Sequence, residues 1–139
     1  VDIIPENLPS RPWYFGGERY QHGFVTAEDM IRFCKETGVK MTYDICHAFL
    51  YCKLHNKDLV EYTKMVMPIV GHVHISDAEG IGGEGLQIGE GKLDFDGVFN
   101  EMVGFDFTWV TEIWSGHLHN AAGNYKALKL LEKSYSKII

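Results

Sequence analysis

Ile69-Val70-Gly71-His72-Val73-His74-Ile75-Ser76 is the stretch on which the fold turns. It is apolar or β-branched almost without a break, which suits a strand covered on both faces. Its two histidines stand two residues apart, so both imidazoles point to the same side. A glycine-dense stretch, Gly80–Gly91, follows, and then a helical pattern. Three other runs share this strand-then-helix layout: Val1–Glu6, Val39–Asp44 and Phe107–Ile113.

The helical segments carry their own start and stop signals. Thr26 with Asp29 forms a capping box, Ile31, Phe33 and Cys34 supply apolar faces, and Gly38 is a C-terminal cap. Asp58 with Glu61 opens a second helix with Leu59, Met65 and Val66, and Pro68 ends it. Asp94 caps a third, with Phe95, Val98, Phe99 and Met102 at helical spacing before Gly104. The last runs from Asn120 to Tyr135, and a further helical turn covers Ala48–Leu54. Alternation of strands and helices implies parallel strands with right-handed crossovers. Two architectures fit, a small doubly wound sheet or half of a (βα)8 barrel. Gly80–Gly91 holds no dinucleotide fingerprint after a first strand and has charged residues between its glycines, so it reads as an ordered active-site loop.

The 139 residues carry 13 Lys and Arg against 19 Asp and Glu, a formal charge of -6. Nucleic-acid and anionic-membrane surfaces rest on basic contacts to phosphate, so neither partner is expected. No apolar run approaches the roughly 18 residues of a membrane-spanning helix, and no signal peptide stands out. Cys34, Cys46 and Cys52 have no zinc-type spacing and are odd in number, which points to reduced, buried thiols in a cytoplasmic protein. Residues 1–139 are expected to form one domain. The opening Val1-Asp2-Ile3-Ile4 enters a strand at once, as a piece of a longer protein would.

In parallel α/β folds chemistry gathers at the C-terminal ends of the strands. Here each strand ends in, or carries, a metal-competent side chain: Glu6, Asp44, His72 with His74, and Glu112. Each has a plainer reading. Glu6 can cap the loop after it, Asp44 can N-cap the turn at Ile45–Ala48, and a histidine pair can form a core network. Glu112 follows a buried-looking run and must be paired or bound to a cation. Taken together, one residue of this kind on every strand favours a metal site. His117 and His119 read as solvated loop residues. Trp13, Tyr14 and Phe15 wall a ligand pocket or shield a core end, and Cys46 lacks a base partner beyond His47.

These residues resemble the xylose isomerase-like TIM-barrel family, which includes sugar and sugar-phosphate isomerases and epimerases and the endonuclease IV group. The matching motifs are Pro5-Glu6-Asn7-Leu8-Pro9 at the end of the fifth strand and Asp44-Ile45-Cys46-His47 after the sixth. Gly71-His72-Val73-His74-Ile75-Ser76-Asp77 stands for the seventh, followed by Gly89-Glu90-Gly91, and Thr111-Glu112-Ile113 ends the eighth. The resemblance covers the whole chain and implies the C-terminal half of the barrel. Two departures stand out. The D-x-H that completes a three-zinc cluster in the endonuclease branch aligns with Gly83 and Gly85. An Arg that several epimerases carry aligns with Gly80, so its substrate contact would fall to Arg11 or Arg19.

By this resemblance Glu6, Asp44, His74 and Glu112 hold one divalent ion, Mn2+, Mg2+, Co2+ or Zn2+. Glu6 and Glu112 then act as the catalytic acid–base pair on a carbohydrate substrate, by proton transfer through an enediolate. His47, His72, Arg11, Arg19, Trp13 and Trp114 are the implied substrate-binding or supporting residues. The rival functions are an endonuclease-like phosphodiesterase or dehydratase, and a non-catalytic sugar-binding module fused to a sugar-synthesis enzyme. A closed barrel takes about 250 residues. An isolated half would expose strand edges and an apolar inner face, so self-association or the remainder of a longer chain is expected to cover them.

Overall fold

The computed structural model describes residues 3–138 apart from Pro12, Gly16, Gly17 and Gln21, with the backbone alone for Trp13–Phe15 and Glu18–Tyr20. The first loop forms an antiparallel hairpin, β1 (Trp13–Phe15) with β2 (Glu18–Tyr20). Then come α1 (Ala27–Thr37), β3 (Met41–Asp44), α2 (Ile45–His55) and α3 (Leu59–Val66). A 3-10 turn, Met67–Ile69, leads into β4 (Val70–Ile75) and a second hairpin, β5 (Asp77–Glu79) with β6 (Gly83–Leu86). The chain closes with α4 (Phe95–Met102), β7 (Thr108–Thr111) and α5 (Leu118–Tyr135).

The main sheet runs β3-β4-β7, all parallel, and Glu6 bridges to Thr42 in parallel on the far side of β3. Sequence order and spatial order therefore coincide. A doubly wound sheet reverses its strand order at a switch point, and none occurs among the described residues. The wall is that of a partial (βα)8 barrel. One face of it meets the helices: Tyr43 and Val73 are fully buried, and the Tyr43 hydroxyl lies 2.7 Å from Thr63 Oγ1 on α3. The other face carries Thr42, Asp44, His72 and His74 in matched register, Thr42 beside His72 and Asp44 beside His74.

The helix signals act as their chemistry dictates. Thr26, Asp44, Asp58 and Asp94 each accept a backbone N–H three residues on, each cap stabilising by about 1 kcal/mol. Gly38 closes α1 with φ of 75°, a conformation that costs glycine nothing. Among the described residues no helix is long and apolar enough to cross a membrane.

Five expectations need correction. Regular strand structure does not extend back through Ile3–Pro5, because Pro5 has no N–H to donate and only its carbonyl pairs, with Thr42 N at 2.8 Å; Val1 and Asp2 lie outside the described residues. The turn at Ala48–Leu54 is a full helix, α2, which Asp44 starts and Asn56 ends in the left-handed region. The final helix is interrupted near its start, where His119, Asn120 and Ala121 all have positive φ. Nor is β7 covered on both faces: it is the sheet's free edge, and Trp109 and Val110 are 41% and 45% exposed. The inner face is also more polar than expected, since Thr42, His72 and Thr108 share one row of it.

Candidate metal centre

Four parallel segments end at one place, and the local sequence explains each arrival. Glu6 stands where the Pro5 carbonyl and Thr42 tie the first segment to β3. Asp44 is the last residue of β3 and the N-cap of α2; its Oδ1 accepts His47 N at 2.7 Å, which leaves Oδ2 facing the sheet end. His74 lies beside Asp44 in register on β4. Glu112 follows β7, held by its own N–H to the Ile75 carbonyl at 2.9 Å. One ligand atom from each of Glu6, Asp44, His74 and Glu112 lies within 4.8 Å of all the others. These are the four residues that the sequence places at the strand ends.

Individual contacts are short. His74 Nδ1 is 2.9 Å from Glu112 Oε2, 3.5 Å from Glu6 Oε1 and 4.0 Å from Asp44 Oδ2. Yet that buried nitrogen makes no hydrogen bond. Three carboxylates therefore surround a nitrogen at ion-pair distance without satisfying it by a hydrogen bond, which a bound cation would do. Three carboxylates and one imidazole form a donor set that could hold a divalent ion, and the residues present fit one.

Burial and charge pull the site's proton equilibria in opposite directions. Burial pushes the Glu6 carboxyl up, but His47 and His74 outweigh it and hold it at about 2. Asp44 goes the other way, pushed up to about 7 by burial against the opposing pull of His47, with Glu6 and Glu112 adding repulsion. For His47 burial is again the largest influence and lowers the value, yet Glu6, Asp44 and the Asn7 carbonyl raise it to about 9. His74 is raised, first by Glu6 and against its own burial. Both imidazoles are thus raised by the carboxylates around them, the same negative charge that a bound cation would offset.

The remaining expected residues spread around this cluster. His47 sits directly beside it, its Nδ1 bonded to the Asn7 carbonyl at 2.9 Å and 3.3 Å from Glu6 Oε1. His72 lies one row below, bound to Thr108 Oγ1 at 2.7 Å, its ring edge-on to His74 at 5.2 Å. The Trp114 side chain is largely exposed and lies against Gly85 at the rim, while the main-chain N–H of Trp114 donates to the Gly85 carbonyl at 2.9 Å. Arg11 is exposed and reaches over Gly82. The side chains of Trp13 and Arg19 lie outside the described residues. Cys46 is buried, and burial together with Asp44 pushes its thiol up to about 12, which makes it no nucleophile.

Three residues emerge that sequence reasoning gave no role. Asn7 is fully buried, donating from Nδ2 to the Asp44 carbonyl at 2.9 Å and accepting Asp44 N on Oδ1 at 2.8 Å. Its amide thus continues the sheet ladder and fixes the backbone under a ligand. Asp77 accepts four backbone N–H groups, from Ala78 and Leu93 on Oδ1 and from Gly89 and Gly91 on Oδ2, at 2.8–3.1 Å. A Cβ at Gly91 would collide with Asp77, which explains the Gly89-Glu90-Gly91 signature. Glu84 on β6 turns toward the site, its Oε2 3.8 Å from His47 Nε2, and burial raises its carboxyl against the pull of His47. The charged residue between glycines was the visible signal for Glu84.

The profile of a family described as xylose isomerase-like TIM barrel matches residues 1–134. The chain belongs to this family. Among solved structures, a D-tagatose 3-epimerase-like protein aligns with the xylose isomerase-like chain at a TM-score of 0.68 and 22% identity, over 99% of this chain and 49% of that one. An L-ribulose 3-epimerase gives 0.68 at 16%, over 99% and 48%. D-psicose 3-epimerase from Clostridium cellulolyticum H10, solved with D-tagatose, gives 0.65 at 14%, over 97% and 50%. At these identities the likeness is one of fold. This xylose isomerase-like chain spans about half the length of the structures it matches. No curated protein matches it.

Proposed function

We propose that the chain is the metal-binding half of a divalent-metal-dependent sugar isomerase or epimerase, working by proton transfer through an enediolate. The convergence of Glu6, Asp44, His74 and Glu112 at the strand ends carries this reading. A bound Mn2+, Mg2+, Co2+ or Zn2+ would polarise the carbonyl of a hydroxy-carbonyl substrate and acidify the neighbouring C–H.

The chain's own residues move the proton. Glu6 and Glu112 reach the cluster from opposite ends of the sheet, beyond β3 and beyond β7 respectively. One removes the proton from the carbon beside the carbonyl and the other returns one, giving epimerisation or aldose–ketose interconversion. His47, anchored by Asn7 and Asp44, binds a substrate oxygen, and His72 supports His74 from below. Trp114 and Arg11 at the rim, with Trp13 and Arg19, contact the sugar. The endonuclease reading is disfavoured at Gly83 and Gly85. A Cβ at Gly83 would lie 2.9 Å from the Glu79 carbonyl oxygen, and one at Gly85 would strike the Trp114 ring, so a D-x-H has no room there.

The test joins metal analysis to solvent exchange. The chain should bind one Mn2+ and exchange the α-hydrogen of a ketohexose with solvent deuterium, and Glu112→Gln should abolish that exchange while only weakening the metal. Unchanged deuterium incorporation in Glu112→Gln refutes the assignment; sugar binding with no exchange in the wild type points to a binding module. The exposed β7 edge supports completion of the barrel by further chain or a second copy, which native mass spectrometry reads directly. A stable monomer with an uncovered β7 would refute it.

A further inference from the structure

The β5–β6 hairpin brings to the site one charged side chain more than the four-residue cluster uses. Glu84 is 12% exposed at its side chain, and its neighbours leave the hairpin little choice about what it presents. Gly83 and Gly85 admit no Cβ without collision with the Glu79 carbonyl and the Trp114 indole, and Gly85 has φ of +67°. Of the three residues 83–85, only Glu84 can offer a side chain. Asp77, with its four N–H bonds, anchors the base of the hairpin. His47 across the gap is equally fixed, its Nδ1 on the Asn7 carbonyl and its main-chain N on Asp44.

The separation of 3.8 Å between Glu84 Oε2 and His47 Nε2 exceeds a direct hydrogen bond, so both atoms are left to turn to one hydroxyl placed beside them. Among the described residues, no lysine or arginine forms an ion pair with Glu6, Asp44, Glu84 or Glu112; Arg32 pairs with Asp29, and Lys126, which lines a cavity together with Glu84, is paired with Glu90. The three ligand carboxylates outnumber the charge of a divalent ion, and Glu84 adds a fourth. An ionised carboxylate accepts hydrogen bonds and donates none. It suits a sugar hydroxyl and repels a phosphate dianion.

Resting on the isomerase or epimerase reading of the same site, we infer that Glu84 is its specificity-determining residue. Its carboxylate binds a hydroxyl of a neutral ketose beside His47, and it turns away the phosphorylated form of the same sugar. Phosphate dependence is thus decided by one side chain on the hairpin and not by the metal ligands.

Calorimetric titration of the Mn2+-loaded chain with D-tagatose and with D-tagatose 6-phosphate tests this. The wild type should bind the neutral sugar at least tenfold more tightly than its phosphate. Glu84→Gln should cut that preference to below threefold, mainly through tighter phosphate-ester binding, with Mn2+ stoichiometry and affinity within threefold of wild type. Equal or tighter binding of the phosphate by the wild type, an unchanged preference in Glu84→Gln, or no binding of either sugar each overturns the inference. Deuterium exchange keeps the two readings apart. Preference without exchange refutes the isomerase and leaves Glu84 as the discriminating residue of a sugar-binding site; exchange without preference refutes the role of Glu84 alone.

Discussion

Replacing Asp77 by Asn removes a single charge at nearly constant shape, and the structure sets the size of the response. Oδ1 accepts Ala78 N at 2.8 Å and Leu93 N at 3.1 Å, while Oδ2 accepts Gly89 N and Gly91 N, both at 2.9 Å. The side chain is 2% exposed, so water does not take over these bonds. An asparagine keeps one oxygen and turns an NH2 group toward the other two N–H donors. Two buried donors then lose their acceptor, at about 1–3 kcal/mol each, for a total of about 2–6 kcal/mol. A domain of this kind has about 5–15 kcal/mol in all, so the variant sits near its folding limit. Urea unfolding followed by circular dichroism measures the loss, with Glu36→Gln on the exposed face of α1 as a control expected within about 0.5 kcal/mol of wild type. An Asp77→Asn midpoint equivalent to less than about 1 kcal/mol of destabilisation would refute the four-bond account. It would mean that the loop from Gly80 to Gly91 is held by something other than this carboxylate.

Three further outcomes follow from the same site. In the metal-free chain Asp44 is raised to about 7 and His47 to about 9, so each contributes stability at low pH. Asp44's share is lost between its unfolded value of 3.8 and 7, that of His47 between 6.5 and 9. Thermal melts in EDTA should therefore fall from pH 5 to pH 9 and flatten once Mn2+ is added; a rising metal-free melting temperature would contradict this. Asn7→Ala strips two hydrogen bonds from the backbone of Asp44 and should cost about 2–4 kcal/mol in stability, together with at least tenfold in Mn2+ affinity, and Mn2+ titration at wild-type affinity would count against it. Cys34, Cys46 and Cys52 are free and buried, with Cys46 and Cys52 pushed up to about 12, so iodoacetamide at pH 8 should label none in the native chain and all three after unfolding.

What could be read from the sequence and what could not divide along a physical line. Strand ends and caps are local events: Asp44, Asp58, Asp94 and Thr26 announce themselves because a short polar side chain meets an orphan N–H three residues away. The four residues of the cluster were legible for the same reason, each standing at or near the end of its own apolar run. Helix α2 was understated because it is buried nearly all round, from Ile45 and Cys46 through Cys52, and so shows no amphipathic stripe. The first strand was overstated because its β-branched residues outweighed the proline beside Glu6. Asn7 and Asp77 act on backbone 37 and 12–16 residues away, and no local pattern reports a partner that only folding brings near. Gly83 and Gly85 changed meaning most. As sequence they were merely the absence of two ligands. In the fold they are positions where a Cβ collides with Glu79 or Trp114, and that steric demand leaves Glu84, alone of the three, free to face the site. The chemistry of this rim is therefore set by what its neighbours exclude.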